Sequence, residues 1–391
     1  MNSGKHLSSI VVAAGLALGA GATHAQDTVR IGLILPMTGQ QASTGKQIDA
    51  AVKLYMSQHG GTVAGKKIEV ILRDDAAVPD NTKRIAQELI VNDKVSFIAG
   101  FGITPCALAV GPLATQAKVP AVIMAAGTSI ITTRSPYYAR TSFTLPQSSV
   151  IIADWAAKNG IKKVVTIVSD YAPGADALNS FKARFTEAGG AVVAELKVPL
   201  AAPDFAPFLQ RARDASPDAV FVFVPSGQGA TFAKQFAERG LDKAGIKLIG
   251  PGDVVDDDLL PGMGDAVLGA VTAHLYSAMH PSASNKAFVA ALKKANHNMR
   301  PNFMAVGGYD GMHLIYESLK KTGGSTDGDQ LIAAMKGMAW ESPRGPISID
   351  PETRDIVQNI YIRKVEKVGG ELYNVEFATF EAVKDPGKAK K

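Results

Sequence analysis

Short apolar segments alternate with amphipathic segments along most of the chain. Residues 29–35 are β-branched and apolar, and a turn-rich stretch then leads into residues 44–59, where apolar side chains recur on one helical face. The same alternation predicts further strands at 68–72, 95–99 and 121–124, with helices at 81–92 and 104–117. Nearly continuous apolar strands of this kind are typical of a parallel sheet that is covered on both faces.

The alternation restarts after Pro146 and predicts a second lobe. Its helices are predicted at 148–159, 175–188 and 228–239, and its strands at 164–168, 191–198, 219–224 and 247–249. Three further helices, at 285–295, 303–321 and 329–338, precede two strands at 356–364 and 371–377 that a Gly369-Gly370 turn joins. Helices without strands make a poor separate domain, so we expect these three to return to the first lobe.

This reading predicts an α/β protein with two discontinuous, doubly wound lobes. Lobe 1 is predicted to comprise residues 26–143 and 275–347, and lobe 2 residues 144–274 and 348–380. Hinge segments are expected near 141–146, 271–277 and 345–350, and residues 381–391 are expected to form a basic tail. Ligand should then shift an equilibrium between open and closed arrangements of the lobes.

The first 25 residues have the features of a cleaved secretory signal. Residues 1–6 carry one lysine, residues 7–22 are apolar and small, and Thr23-His24-Ala25 ends in a small residue. A permanent membrane anchor is less well supported, because the run contains two serines and several glycines. The sequence therefore predicts export to the periplasm, with cleavage before Gln26.

Composition excludes several classes of function. The 391 residues include one cysteine, so neither a disulfide framework nor a cysteine zinc site is expected. The formal charge of +5 is not concentrated in a basic stripe with aromatics, which argues against nucleic-acid binding. His-Glu-x-x-His and Gly-x-Ser-x-Gly motifs are absent from the sequence. We therefore expect no catalytic residues, metal or cofactor.

Candidate binding residues follow the strands, because doubly wound sheets bind ligands at the carboxyl ends of their strands. After the strand at 95–99, Thr104 is a predicted N-cap and Pro105 a predicted first helical residue, so free backbone N–H groups would be available to an anion. The next loop, Ala125-Ala126-Gly127, has side chains small enough to let a ligand reach the main chain. A plain helix cap and a plain flexible loop remain the alternatives.

The order of several segments resembles a known family. Ile31-Gly32-Leu33 leads to Pro36-Met37-Thr38-Gly39, and residues 70–75, 119–122 and 309–311 follow at matching intervals. Together these segments, over residues 29–377, resemble the type I periplasmic solute-binding proteins of ABC transporters, the leucine/isoleucine/valine-binding group. The resemblance implies two doubly wound Rossmann-like lobes joined by a multi-segment hinge.

The resemblance also implies a ligand site between the lobes. A hydroxyl at the start of the third helix and nearby main chain would hold a carboxylate, which matches Thr104, Ala125, Ala126 and Gly127. The other expected contacts are Thr44, Phe101, Tyr171, Ser226, Asp253 and Phe303. Gly252 stands where amino-acid binders place an acid for the ammonium group, and Asp253 is the candidate substitute.

We therefore expect a periplasmic binding protein that captures a small carboxylate-bearing solute and delivers it, as a monomer, to an inner-membrane ABC permease. Two ligand classes stay open, which are a branched or apolar amino acid and an aromatic or aliphatic acid without the amine. The alternative functions are an exported α/β enzyme and a sensor lobe that reports ligand without transport.

Overall fold

The computed structural model describes Met1 and residues 27–201 and 203–388. The predicted signal, apart from Met1, lies outside these residues. The first sheet is formed by β1 (Thr28–Leu35), β2 (Thr62–Val63), β3 (Lys66–Asp74), β4 (Phe97–Gly100), β5 (Ala121–Ile123) and β6 (Tyr138–Arg140). In the described part of the chain its order is β2-β3-β1-β4-β5-β6, and every pairing except β2 with β3 is parallel.

Helices cover this first sheet. They are α1 (Ala42–His59), α2 (Pro79–Val91) and α3 (Thr104–Ala117). Each follows a strand as predicted, and the apolar alternation identified β1, β3, β4 and β5 but not the short strands β2 and β6.

The second sheet is larger and mixed. Its strands are β7 (Lys163–Ser169), β8 (Ala191–Val198), β9 (Ala219–Phe223), β10 (Lys247–Pro251), β11 (Val271–His274), β12 (Ala339–Ser342), β13 (Gly345–Ile349), β14 (Ile356–Val368) and β15 (Glu371–Val383). Among described residues the order is β12-β13-β14-β11-β10-β9-β7-β8, with β15 paired to β14. Strands β7 to β11 are parallel, and β11 to β15 pair antiparallel.

Helices also cover the second sheet, and a glycine turn closes its last hairpin. The helices are α4 (Leu145–Lys158), α5 (Ala172–Glu187), α6 (Ala206–Asp214) and α7 (Gly229–Glu238). Gly369 and Gly370 join β14 to β15 with φ values of 61° and 90°, a backbone that glycine adopts without steric cost.

The last three helices return to the first sheet, as the sequence predicts. They are α8 (Ala283–Ala295), α9 (Phe303–Lys321) and α10 (Gly328–Met335). Tyr316 on α9 donates a hydrogen bond to the Gly60 carbonyl at the end of α1 (2.9 Å), and Lys118 pairs with Asp329 on α10 (2.7 Å). The α/β, two-lobe fold class is thus confirmed. Lobe 1 is hereafter residues 28–140 and 283–335, and lobe 2 is residues 145–274 and 339–383.

Two predicted boundaries differ from the structure. After the three returning helices the chain re-enters the second sheet at Ala339, several residues before the predicted end of lobe 1 at 347. The reason is that β12 and β13 form a hairpin whose inner strand, β13, pairs with β14. The third crossing between lobes therefore lies near 336–338, and the predicted hinge at 345–350 coincides with β13. The predicted tail is partly structured, since β15 extends to Val383 and Lys388 pairs with the buried Asp355.

Buried ion pairs connect the lobes close to these crossings. Arg140 in lobe 1 pairs with Asp355 in lobe 2 (2.7 Å), and Arg344 in lobe 2 pairs with Asp310 on α9 (2.7 Å). Arg344 also donates hydrogen bonds to the carbonyl groups of residues 141 and 142. Removing one partner of such a pair would leave a buried charge without its counter-ion. These ion pairs therefore hold the two lobes together next to the crossings.

Candidate ligand-binding site

A cavity lies between the lobes, at the carboxyl ends of strands from both sheets. Its empty space is about 360 Å³, with the opening to solvent included. Lobe 1 lines it with Gln41, Gly102, Ile103, Thr104, Ala125, Ala126, Gly127 and Met304. Lobe 2 and the first crossing line it with Phe143, Leu145, Tyr171, Pro173, Phe223, Pro225, Ser226 and Asp253. This is the place where doubly wound sheets hold ligands.

Thr104 lies at the cavity wall but does not cap its helix. Helix α3 begins at Thr104 itself, and the preceding Ile103 occupies the cap position in an extended conformation without a side-chain cap hydrogen bond. The predicted N-cap role of Thr104 is therefore wrong. Its Oγ1 instead shares a hydrogen bond with Oγ1 of Thr128 (2.7 Å), which fixes the hydroxyl at the buried start of α3.

Gly127 allows the first crossing to close over the cavity. A Cβ built on Gly127 would lie 2.6 Å from Cδ2 of Leu145 and 3.0 Å from Cζ of Phe143. A larger residue at 127 would displace both side chains. The absence of a side chain at 127 thus leaves room for an aromatic ring from the crossing in the cavity wall.

The lobe 2 wall is aromatic next to a buried acid. Tyr171 follows β7, and its ring stacks on Phe223, with centroids 6.1 Å apart and planes 15° apart. Asp253 follows β10, is buried, and has an Oδ2 without a hydrogen-bond partner among the described residues. Burial raises the pKa of Asp253 to about 7, and the positive charge of Arg363 partly opposes that rise.

Arg363 and His274 fill the space beneath Gly252. Arg363 on β14 pairs with Asp257 (3.2 Å) and donates to the Gly252 carbonyl (3.4 Å). A Cβ added at Gly252 would overlap both the guanidinium of Arg363 and the ring of His274. The position at which the resemblance predicts an acid therefore has no room for a side chain.

Seven of the ten predicted site residues line the cavity. They are Thr104, Ala125, Ala126, Gly127, Tyr171, Ser226 and Asp253. The other three, Thr44, Phe101 and Phe303, are buried elsewhere. Thr44 lies behind Gly102, with its Cγ2 3.6 Å from a Cβ built there.

Phe101 and Phe303 were predicted to contact the ligand, but neither lines the cavity. The Phe101 N–H donates to the Ile34 carbonyl (3.0 Å), but the backbone has left the strand with φ values of 109° at Gly100 and 68° at Phe101, and the ring packs in the core beside Tyr138. Phe303 packs behind the wall, edge to face with Phe143 (centroids 5.4 Å apart) and against His274 (4.3 Å). Met304, the next residue, lines the cavity instead.

Several lining residues were not predicted from the sequence. Phe143 lies in the crossing between lobes, Leu145 begins α4, and Gln41 lies in the loop between β1 and α1. Phe223 ends β9, so its buried, apolar character indicated a core residue. The crossing was identified as a hinge, and that was the available signal for Phe143.

The lobes also touch around the cavity. Ser43 Oγ donates to Asp258 Oδ2 (2.5 Å), and Asn302 Nδ2 donates to the buried Asp256 Oδ2 (2.8 Å). On the other side the Ser129 N–H donates to Asp176 Oδ2 (2.9 Å). Each bond joins lobe 1 to lobe 2, so the structure shows the closed arrangement.

Over residues 27–201 and 203–388, no group of three or more His, Cys, Asp or Glu side chains is placed to hold a metal ion. In the same described residues, no helix combines the length and apolar character needed to cross a membrane.

Comparison with known proteins gives a consistent family. A family model described as periplasmic binding protein matches residues 28–370. Leu/Ile/Val-binding protein homolog 6 of Brucella melitensis biotype 1 is 47% identical over 374 residues, which cover 95% of this chain and 96% of that protein.

Solved structures agree with this assignment. A solute-binding protein of an ABC transporter from Rhodopseudomonas palustris BisB5, in complex with 3,4-dihydroxybenzoic acid, is 78% identical with a TM-score of 0.92 and covers 93% of this chain and 100% of its own. Another from R. palustris, in complex with 4-hydroxybenzoate, is 43% identical with a TM-score of 0.91 and the same coverage. The resemblance found in the sequence is confirmed: the chain belongs to the periplasmic binding proteins, the solute-binding components of ABC transporters.

Proposed function

We propose that the ligand of this solute-binding protein is a benzoate-type aromatic carboxylate that carries ring hydroxyl groups. The observation that carries the proposal is the contrast across the cavity, where an uncharged, backbone-rich wall faces an aromatic wall that contains one buried acid, Asp253. The 78% identical protein in complex with 3,4-dihydroxybenzoic acid supports the same ligand class.

The carboxylate end belongs to lobe 1. The first N–H groups of α3 have no partner within the helix, and the helix dipole favours negative charge at this end. The Thr104 hydroxyl and the main chain of residues 125–127 lie at the same wall. Together these groups suit a carboxylate and require no charged side chain.

The ring and its hydroxyl belong to lobe 2. The stacked Tyr171 and Phe223, with Phe143 from the crossing, give the flat apolar surfaces against which an aromatic ring packs. Asp253 has an oxygen without a partner, and a phenolic hydroxyl can donate to it when the carboxyl is ionised or accept from it when the carboxyl is protonated. A buried polar atom left unpaired is costly, so a ligand that supplies its hydrogen-bond partner gains affinity.

A branched-chain amino acid is the second candidate, because the 47% identical relative is a Leu/Ile/Val-binding protein homolog. Asp253 would then have to bind the ammonium group alone, since Gly252 has no room for an acid. The Arg363 guanidinium behind Gly252 would repel that ammonium. The aromatic acid avoids this conflict, and we therefore favour it.

In this proposal the loaded protein acts in the periplasm as a monomer. Ligand binding stabilises the closed arrangement, in which Ser43 meets Asp258 and Asn302 meets Asp256. An inner-membrane ABC permease would receive this closed form. Family membership supports both the location and the permease.

A thermal-shift and calorimetry panel tests the proposal. Protein freed of ligand by unfolding and refolding is titrated with benzoate, 4-hydroxybenzoate, 3,4-dihydroxybenzoate, leucine and valine. A ligand at a hundred times its Kd adds about 2.7 kcal/mol of stability. We expect stabilisation by the hydroxybenzoates and none by leucine or valine. Stabilisation by the amino acids alone would overturn the proposal.

A further inference from the structure

His274 is a polar side chain that is fully buried beside aromatic rings. Neither ring nitrogen has a hydrogen-bond partner among the described residues. A neutral imidazole presents one donor and one acceptor, and leaving both unpaired in a dry interior is unfavourable. The rings of Phe143 (5.4 Å between centroids) and Phe303 (4.3 Å) flank it. A phenylalanine at 274 would pack in such surroundings without this cost.

The sheet places His274 in line with residues of the cavity wall. Strands β7, β9, β10 and β11 lie side by side and parallel, and the first three are followed by the lining residues Tyr171, Ser226 and Asp253. His274 is the last residue of β11, one residue beyond the Pro251–Ala273 pair, and therefore lies next to Gly252. It thus occupies the fourth strand end of the same row, and its ring lies edge to face with the lining ring of Phe143.

The neighbouring cation does not satisfy the imidazole. The N–H groups of Arg363 are directed to Thr272, to the Tyr276 carbonyl, to Asp257 and to the Gly252 carbonyl. Burial, together with the positive charges of Arg363 and Arg344, lowers the pKa of His274 well below its ordinary value. The ring is therefore neutral and able both to donate and to accept a hydrogen bond.

We propose that His274 is a specificity-determining residue whose ring nitrogens bind a second ring hydroxyl of the ligand, beside the hydroxyl that Asp253 binds. The inference rests on the proposed aromatic ligand, and it assigns one ring hydroxyl to Asp253 and a second to His274. Asp253 and His274, at neighbouring strand ends of lobe 2, would then distinguish ligands by the number of their ring hydroxyl groups.

The test compares ligands that differ by one hydroxyl. Calorimetry measures benzoate, 4-hydroxybenzoate and 3,4-dihydroxybenzoate on the wild type, on His274→Phe, and on Phe303→Leu, a control that alters packing on the imidazole but removes no polar group. We expect His274→Phe to weaken 3,4-dihydroxybenzoate at least tenfold more than 4-hydroxybenzoate, His274→Gln to recover part of the loss, and Phe303→Leu to affect the ligands equally. Equal loss for every ligand in His274→Phe would overturn the inference.

A second measurement does not depend on the variants folding. In the wild type with ¹⁵N-labelled histidine, the His274 ring nitrogens should shift when 3,4-dihydroxybenzoate replaces 4-hydroxybenzoate. Unchanged shifts would overturn the inference even if both ligands bind. Failure of the wild type to bind any of the three benzoates would instead refute the proposed function, and the role of His274 with it.

Discussion

The two walls of the cavity are built on different principles. The lobe 1 wall contains small side chains, Thr104 and exposed main chain, and none of the described residues that line it is ionisable. The lobe 2 wall contains Tyr171 and Asp253, with Arg363 and Asp257 buried behind it. Backbone recognition fits any carboxylate, whereas side chains and buried charges distinguish one substituent from another. The difference indicates that lobe 1 binds the shared part of a ligand class and lobe 2 selects its members.

The largest expected effect concerns the buried charge of lobe 2. Burial raises the pKa of Asp253 to about 7, so the folded carboxyl keeps a proton that the unfolded one has lost. The unfolding free energy of the ligand-free protein should therefore fall as pH rises from about 4 to 7, at about 1.4 kcal/mol for each unit of pKa difference. Relative to Asp253→Asn, the wild type should lose a few kcal/mol across this range, as measured by denaturant titration.

The contrasting control is Asp218, an exposed acid that accepts hydrogen bonds from the backbone N–H groups of Lys162 and Lys163. These bonds lower its pKa, so its contribution to stability is present above the unfolded pKa and is lost as pH falls. Asp218→Asn should therefore change the pH dependence in the opposite direction. A wild-type slope that Asp253→Asn leaves unchanged would show that the carboxyl is not desolvated.

The next effect tests how tightly lobe 2 is packed beneath Gly252. Gly252→Ala would force a methyl group into the space of Arg363 and His274, and overpacking of this kind costs typically 1–3 kcal/mol. We expect the upper end, about 3 kcal/mol, because one displaced group is a buried cation. Gly262→Ala is the matched control, since a Cβ there meets nothing within 4 Å. Equal melting temperatures for the two variants would refute the account of position 252.

The third effect tests the carboxylate grip of lobe 1. Thr104→Val preserves shape but removes a hydroxyl that we expect to bond a charged oxygen, an interaction worth roughly 1.5 to 3 kcal/mol. Affinity should fall on the order of tenfold to a hundredfold, by the same factor for every benzoate. Thr115→Val, on the same helix but bonded to Gly111 and Ser135, is the control and should bind normally. A loss that depends on ring hydroxyls would reverse the roles of the two walls.

The sequence predicted part of each wall for the same physical reason, although the three predicted residues that do not line the cavity, Thr44, Phe101 and Phe303, all belong to lobe 1. Parallel strands bring their carboxyl ends to one edge, so locating the strands was enough to find Thr104 and residues 125–127. Phe101 was misplaced because Gly100 and Phe101 have positive φ values (109° and 68°), so the ring departs from the alternation of the strand and packs in the same core as Ile98. His274 ends a strand that the pattern did not reveal, so only the sheet order shows it beside Gly252.

The boundary of lobe 1 could not be read from the pattern either. Strands β12 and β13 have only four and five residues, and their place in the second sheet depends on pairing with the next strand, β14. Phe143 was missed for a related reason, since its position in the cavity depends on the contact between lobes that Gly127 permits. Features that arise from the pairing of short strands or from contacts between lobes therefore require the structure.

The most direct test of the division between the two walls is a crystal structure of the complex with 3,4-dihydroxybenzoate. The account predicts the carboxylate within hydrogen-bond distance of Thr104 Oγ1 and the first N–H groups of α3, with the ring against Tyr171. It places one ring hydroxyl at Asp253. A ligand bound in the reverse orientation, with its carboxylate toward lobe 2 and its hydroxyls toward Thr104, would contradict it.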